Sequence, residues 1–416
     1  MLTTQPHLRN DVCAAYRFAL DTDTLDPTPD KPAASRTQRR VVIVERVLTH
    51  YRVDFFERLR DHLAREGVAL QLLVGHGTAI DAQKKDGGTL DWAIPVPGRY
   101  WFGDRLYWQP FGSYARQADL VIVMHENKML YNLWLLFFKR PVRLAFWGHG
   151  RNMQSHQPTG LRERFKRWTI NKVDWWFAYT DMSAALIHRA GFPQACTTVV
   201  DNAVDTDALS TLCNQVTAAD CHALRTKLSM HSGPVGMYLG SLYQEKRLDF
   251  LLAAAQHIRQ HIPDFQLLIA GAGPEQAIIE DVARRHRWIH YVGPLYGKEK
   301  ATALVLADVL LNPGLVGLGI LDSFVSGTPM FTTDCGMHSP EISYLDSGHN
   351  GVMTVDDINV YAQTVIATLS DPDVMTRMSQ AARASAPRYT VQNMATRFGN
   401  GILACLAMNE IPKEKN

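Results

Sequence analysis

Between Asn312 and Pro329 the sequence reads NPGLVGLGILDSFVSGTP: Gly314, Gly317 and Gly319 precede a helical stretch whose one carboxylate is Asp322. Glycines let a backbone approach a ligand closely, and the free N–H groups that open a helix attract an anion. An acceptor-only carboxylate just inside such a helix suits the two hydroxyls of a ribose. The stretch GSLYQEKRLD sets Lys246 between a strand end and a helix, where an ammonium can neutralise a phosphate. GAGPE (Gly271–Glu275) is a third strand-to-helix turn. It has Gln276 in place of the third glycine that a nicotinamide site wants, and Tyr291 where the acid about 20 residues on would stand, so hydride transfer is set aside. FWGHGRN places His149 between two glycines at a strand end, and ERVLTHYR gathers Glu45, Arg46, His50, Tyr51 and Arg52 after the first strand. A polar, partly cationic loop of that kind suits acceptor recognition. Each stretch also has an ordinary reading: a solvated lysine, a packed histidine, a tight turn, a solvated loop.

These residues need elements to hold them. VVIV (Val41–Val44) is a continuous apolar run of parallel-sheet type, followed by DFFERLRDHLAREG at helical spacing with a stop at Gly67. VALQLLVG, ADLVIVMHE and VRLAFWGHG read as further strands. A second α/β series starts at GPVGMYLGSL and continues through DFQLLIAGAG, WIHYVGPL, VLLNPG and TPMFTTD. The expected architecture is therefore α/β, with two Rossmann-like domains in tandem facing a cleft. Its parts are an extension over 1–39, whose mixed composition predicts poor order, a first domain over 40–205, a second over 206–390, and a closing helix and tail over 391–416. Ligands in open α/β sheets bind beyond the carboxyl ends of the strands. That rule selects the loops named above.

Bulk composition excludes little. The chain has 416 residues, 46% of them hydrophobic, and a net charge of +2, so no nucleic-acid partner is implied. Six scattered cysteines and the lack of a basic-then-apolar leader predict reduced thiols in a cytoplasmic protein. The longest apolar run, Met129–Phe138, is far short of the ~20 residues of a membrane-spanning helix. Local charge says more. From Lys139 to Lys172 nine basic residues oppose the single acid Glu163, a net of +8. Inside that run GLRERFKRW sets Leu161, Phe165 and Trp168 as an apolar stripe on a basic helix. This suits an anionic lipid surface, or a domain helix that packs its stripe inward. No DxD follows a hydrophobic strand, DTD (Asp205–Asp207) reads as a helix cap, and no metal-ligand spacing occurs, so neither metal nor cofactor is expected.

Taken in order, WGHG, NAVD (Asn202–Asp205), GSLYQEKRLDFLL, LLIAGAGPE, YVGPL, ADVLLNPG, GLGILDSFVSGTP, PEISYL and SGHNG resemble the retaining glycosyltransferases of family 4, over about residues 40–400. The chain looks especially like the bacterial branch with a YRxxFF motif. The resemblance implies a GT-B fold whose C-terminal helix crosses back to the first domain. It further implies that Lys246 holds a donor diphosphate, that Asp322 is the second acid of an E-x7-E pattern gripping the nucleotide ribose, and that Gly317 and Leu318 offer amides to donor phosphate or sugar. His149 would stand beside the transferred sugar, and Gly293, Pro294 and Leu295 would form the turn near the base. Gly240, Gly271 and Gly273 join this donor set, and Arg46, His50, Tyr51 and Arg52 form the acceptor set. Two positions depart from the family: Gly314 stands where the first Glu is usual, and Ser241 where many members have an arginine.

The reaction so implied is metal-independent transfer of a sugar from a nucleotide-diphosphate sugar, with UDP favoured and GDP next. The acceptor would be a glycan, either carried on a polyprenyl diphosphate and reached from an anionic membrane surface through Leu161 to Lys172 at the inner face of the membrane, or soluble. A nucleotide-sugar epimerase of the same fold and a degenerate, non-catalytic partner subunit are the alternatives.

Overall fold

The computed structural model describes residues 38–78, 81, 87–141, 143–150 and 161–408. The extension over 1–39, apart from its last two residues, and the tail after Met408 lie outside them.

The first sheet contains β1 (Arg39–Glu45), β2 (Val68–Val74) and β3 (Ile94–Pro95), then, past a small hairpin of β4 (Arg99–Trp101) and β5 (Leu106–Trp108), β6 (Leu120–Met124), β7 (Leu144–Gly148), β8 (Trp175–Ala178) and β9 (Thr197–Val199). Its order is β3-β2-β1-β6-β7-β8-β9, parallel throughout. The second sheet contains β10 (Val235–Leu239), β11 (Gln266–Ala270), β12 (Ile289–Tyr291), β13 (Val309–Leu311), β14 (Met330–Thr333) and β15 (Gly351–Thr354), in the parallel order β12-β11-β10-β13-β14-β15. The VVIV run is fully buried in β1, as helices on both faces of a parallel sheet require. Strand order reverses between β1 and β6 in one sheet and between β10 and β13 in the other. Those are the two places where loops diverge and leave a crevice.

The connector after β9 is a pair of helices, Thr206–Gln215 and Ala218–Lys227, the first capped by the Asp205 carboxylate accepting from the Ala208 N–H at 3.0 Å. The hairpin β4–β5, strand β15 and the helices Ile358–Leu369 and Pro372–Ser385 lie outside the strands and helices legible in the sequence.

The closing helix Val391–Ala407 returns to the first domain. It packs along the helix Val53–Arg65, where Phe398 stacks on Phe177 with ring centroids 4.1 Å apart and meets Phe55 and Trp147 edge-on. The two domains are also tied by a buried polar chain. Arg52, 8% exposed, donates to Asn202 Oδ1 at 2.6 Å; the Asn202 amide donates to Glu341 Oε1; Tyr344 Oη donates to the Asn202 carbonyl at 3.1 Å. Removing the Asn202 amide takes a partner from both the buried Arg52 guanidinium and the buried Glu341 carboxyl, which costs about 1–3 kcal/mol per group. Asn202→Ala is therefore expected to lower the midpoint of urea unfolding clearly, while an exposed control such as Asn171→Ala leaves it in place.

Candidate donor and acceptor site

Four loops of the second domain leave the carboxyl ends of β10, β11, β12 and β13 and are strapped to one another through backbone. Gly240 N–H donates to the Ala270 carbonyl at 3.0 Å, Leu242 N–H to Ala272 at 2.9 Å, Gly271 N–H to Gly293 at 2.9 Å and Leu315 N–H to Glu245 at 2.9 Å. The approach is so close that a Cβ on Gly271 would fall 1.8 Å from the Gly240 carbonyl oxygen. Gly273 belongs to the same strapping, against Leu242. Pro294 is exposed, Leu295 is half-buried against the core, and Ser241 points outward with its carbonyl accepting from Tyr238 Oη at 2.8 Å.

Lys246 ends a short 3-10 turn between these loops. Its ammonium donates to the Leu315 carbonyl at 2.5 Å and lies 5.6 Å from the Tyr243 ring centre. Burial pushes its pKa down to about 8, with no carboxylate among the groups that oppose the shift. The ammonium is thus held in a poorly solvated place where an arriving anion would restore what desolvation removes. The following loop is pinned from behind by a residue the motifs did not single out, His338. Its Nδ1 accepts from the Val316 N–H at 3.1 Å and its Nε2 faces the Thr333 carbonyl at 2.7 Å, while burial lowers its pKa. Gly317 and Leu318 lie at the half-exposed crest of that loop, and the helix itself begins at Ile320.

Asp322 does not stand open. Its Oδ1 accepts from Lys300 Nζ at 2.7 Å, and only 14% of its side chain reaches solvent. A ribose would have to share or displace that lysine. Gly314 has no room for the acid usual in the family. A Cβ there would lie 2.4 Å from the Glu245 carbonyl oxygen and 2.5 Å from the Lys246 carbonyl carbon.

On the first domain, the carboxyl ends of the neighbouring strands β1, β6, β7 and β8 deliver Glu45, Glu126, His149 and Tyr179, the first two at the switch point. The His149 ring packs 4.3 Å from that of Tyr179, and its buried Nδ1 has no hydrogen-bond partner among the described residues. Burial, helped by Lys166 and Arg52, pushes it down to about 3, so it is neutral at pH 7 and holds an uncharged ring nitrogen. Burial also pushes Glu45 up to about 8 against the pull of Arg52.

The acceptor set changes in composition. Arg52 is buried in the interdomain chain, with its guanidinium also over the rings of Trp147 and Tyr179 at 5.1 and 5.7 Å, and so cannot reach for an acceptor. Arg46 is bound to Asp81 at 2.6 Å and to Tyr100 Oη at 3.0 Å. His50 is exposed and Tyr51 half-buried, with their rings edge-on at 5.7 Å. The cations that suggested acceptor binding are therefore spent on structure. Asn202 and Glu341 lie in NAVD and PEISYL, but their roles are not legible there because their partners are 150 and 139 residues away along the chain.

Reinstating the family's acid tests the packing at Gly314. Gly314→Glu is expected to break the strap between residues 245 and 315 and so abolish nucleoside-diphosphate binding rather than strengthen it, as measured by thermal shift. Binding kept at wild-type strength would contradict the contact.

Comparison with known proteins agrees with this geometry. The Glycosyltransferase Family 4 profile matches residues 55–208 and the glycosyl transferases group 1 profile matches residues 233–371. Glycogen synthase of Mycobacterium tuberculosis is 32% identical over 160 residues, 36% of this chain and 38% of that protein. Phosphatidyl-myo-inositol mannosyltransferase of Mycolicibacterium smegmatis is 28% identical over 159 residues, 37% of this chain and 40% of that protein. The chain thus spans about two fifths of the length of these curated relatives. The crystal structure of Anabaena HepE in complex with UDP superimposes with a TM-score of 0.63 at 14% identity, over 88% of this chain and 100% of that one, a likeness of fold. With one glycosyltransferase profile on each domain and the GT-B arrangement of both sheets, the chain belongs to the family 4 glycosyltransferases.

Proposed function

We propose that the protein moves a sugar from a nucleotide-diphosphate sugar to a hydroxyl of a glycan acceptor, with retention at the anomeric carbon. The observation that carries this reading is Lys246: a desolvated ammonium with no carboxylate partner among the described residues, bracketed by backbone loops at the switch point of the second domain. As the bond from the anomeric carbon to the diphosphate breaks, negative charge grows on the leaving oxygen. A preorganised cation there lowers the barrier more than it stabilises the ground state. The acceptor oxygen forms the new bond on the same face, and its proton passes to the leaving phosphate, which departs as a nucleoside diphosphate. That route asks for no separate base, and the proposal lets Lys246 and loop amides carry the diphosphate charge without a metal.

A UDP-sugar is the favoured donor and a GDP-sugar the next; HepE, the structural neighbour crystallised with UDP, supports this order. A lipid-linked glycan is the favoured acceptor, and the relative named for phosphatidyl-myo-inositol points the same way. The working place is then the inner face of a membrane, approached peripherally, because no helix among the described residues is long and apolar enough to cross one. One observation favours a second reading. The closed space at Gly314 removes the usual sugar-contacting acid, as in a subunit that binds nucleotide and does not transfer.

Lys246→Ala is expected to lower the rate of sugar transfer by about a hundredfold or more, the usual loss on removing one such charge-stabilising donor. An unchanged rate would remove Lys246 from the mechanism. In the wild type, nucleoside-diphosphate affinity is expected to stay level at lower pH and to fall as pH rises past about 8, where the free ammonium loses its proton. Lys246→Met should flatten that profile.

A further inference from the structure

The helix Leu161–Thr169 had two readings, an inward apolar stripe or a surface one, and the structure decides between them at its C-terminal end. Thr169 and Ile170 are buried, but Trp168 is 52% exposed and Phe165 37%. Trp168 stacks on Phe137, at the end of the neighbouring helix Leu130–Phe137, with ring centroids 5.3 Å apart and planes 15° apart. Phe137 is itself 40% exposed and Phe138, next in the chain, 63%. Two helices thus bring three large aromatic side chains, Phe137, Phe165 and Trp168, to one patch of surface, although the interior of the first domain is rich in aromatic partners for them.

The charge around the patch is as selective. Within the basic run, Arg140 is taken by Asp174, and Arg143 donates to the carbonyls of Leu406 and Met408. Beside the aromatics three of the described cations stand differently. Arg164, Arg167 and Lys172 are exposed and form no ion pair among the described residues; Lys172 Nζ lies 5.1 Å over the Trp168 ring. With Asn171 and Ala190 they line an open hollow of about 420 Å³ against Trp168.

We propose that this two-helix patch docks the protein on the anionic leaflet of a bilayer, with Phe137, Phe165 and Trp168 entering the headgroup region and Arg164, Arg167 and Lys172 binding phospholipid phosphates in the hollow. Tryptophan and phenylalanine ringed by arginine and lysine match the interface of a charged membrane. A protein partner would favour a patch core depleted of lysine, and it would need acids to meet these cations. The docking surface gives purpose to the reading of a lipid-linked acceptor, but its evidence is independent of sugar transfer.

Flotation of the full chain tests it, with vesicles of phosphatidylcholine alone and of phosphatidylcholine mixed with phosphatidylglycerol, at low and high salt. Nucleoside-diphosphate binding is measured on the same samples. The protein is expected to float with the anionic vesicles only, and to be released by salt. Arg164→Glu with Arg167→Glu should weaken binding by more than about tenfold, and Trp168→Ser with Phe137→Ser should weaken it at both salt concentrations. Nucleotide binding should stay unchanged in both variants. A wild type that stays with the unbound fraction overturns the surface, leaving a protein partner as the occupant. Variants that float as well as the wild type overturn it too, by moving the contact elsewhere. Flotation without any nucleotide binding keeps the surface and removes the transferase reading instead.

Discussion

The arginine buried between the domains organises everything around it. Arg52 sits at the start of the helix that follows β1, and a guanidinium 8% exposed must find acceptors or faces for its charge. It finds them on three passes of the chain. Asn202 belongs to the segment leading into the second domain, Met394 Sδ at 3.4 Å belongs to the helix that returns, and the rings of Trp147 and Tyr179 belong to the first sheet. Through Asn202 the chain reaches Glu341, whose carboxyl is itself raised by burial. One cation thus meets both crossings between the domains, and the two crevices face each other in a relation set in part by its bonds.

The second crevice is built on a different economy. Its loops carry few side chains that could serve a ligand, because the backbone straps of residues 240–246, 271–275 and 312–316 occupy the space where side chains would go. What is left is one ammonium and a set of amides, a chemistry suited to phosphate oxygens and poorly suited to reading a sugar's hydroxyls. The hydroxyl-reading groups are therefore sought on the other wall. There, neutral His149 follows β7, and Glu45, held high in pKa by burial, ends β1.

Much of this was legible in the sequence because it follows from local rules. The buried strands announce themselves as apolar runs, and the ligand loops follow the strands as glycine turns. The approximate place of Lys246 comes from its position between a strand and a helix. What was not legible depends on pairing at long range. Arg46 and Arg52 look like free cations in ERVLTHYR, and only the fold shows Asp81 and Asn202 beside them. Asp322 looks like an open carboxylate until Lys300, on another helix, is seen to hold it. The stripe Phe165–Trp168 has the spacing of an inward face, and burial alone decides that it points out. Periodicity gives a helix its faces, but not which of them meets the core.

On the proposed function, the second domain holds a nucleoside diphosphate on Lys246 and backbone amides. Calorimetric titration of the full chain with UDP, GDP, TDP and ADP, in the presence of a chelator, tests it most directly. Saturable, one-to-one binding of one of them, strongest for UDP, is expected, and it is lost in Lys246→Ala. Heat of binding for none of the four, or binding that Lys246→Ala leaves intact, would contradict it.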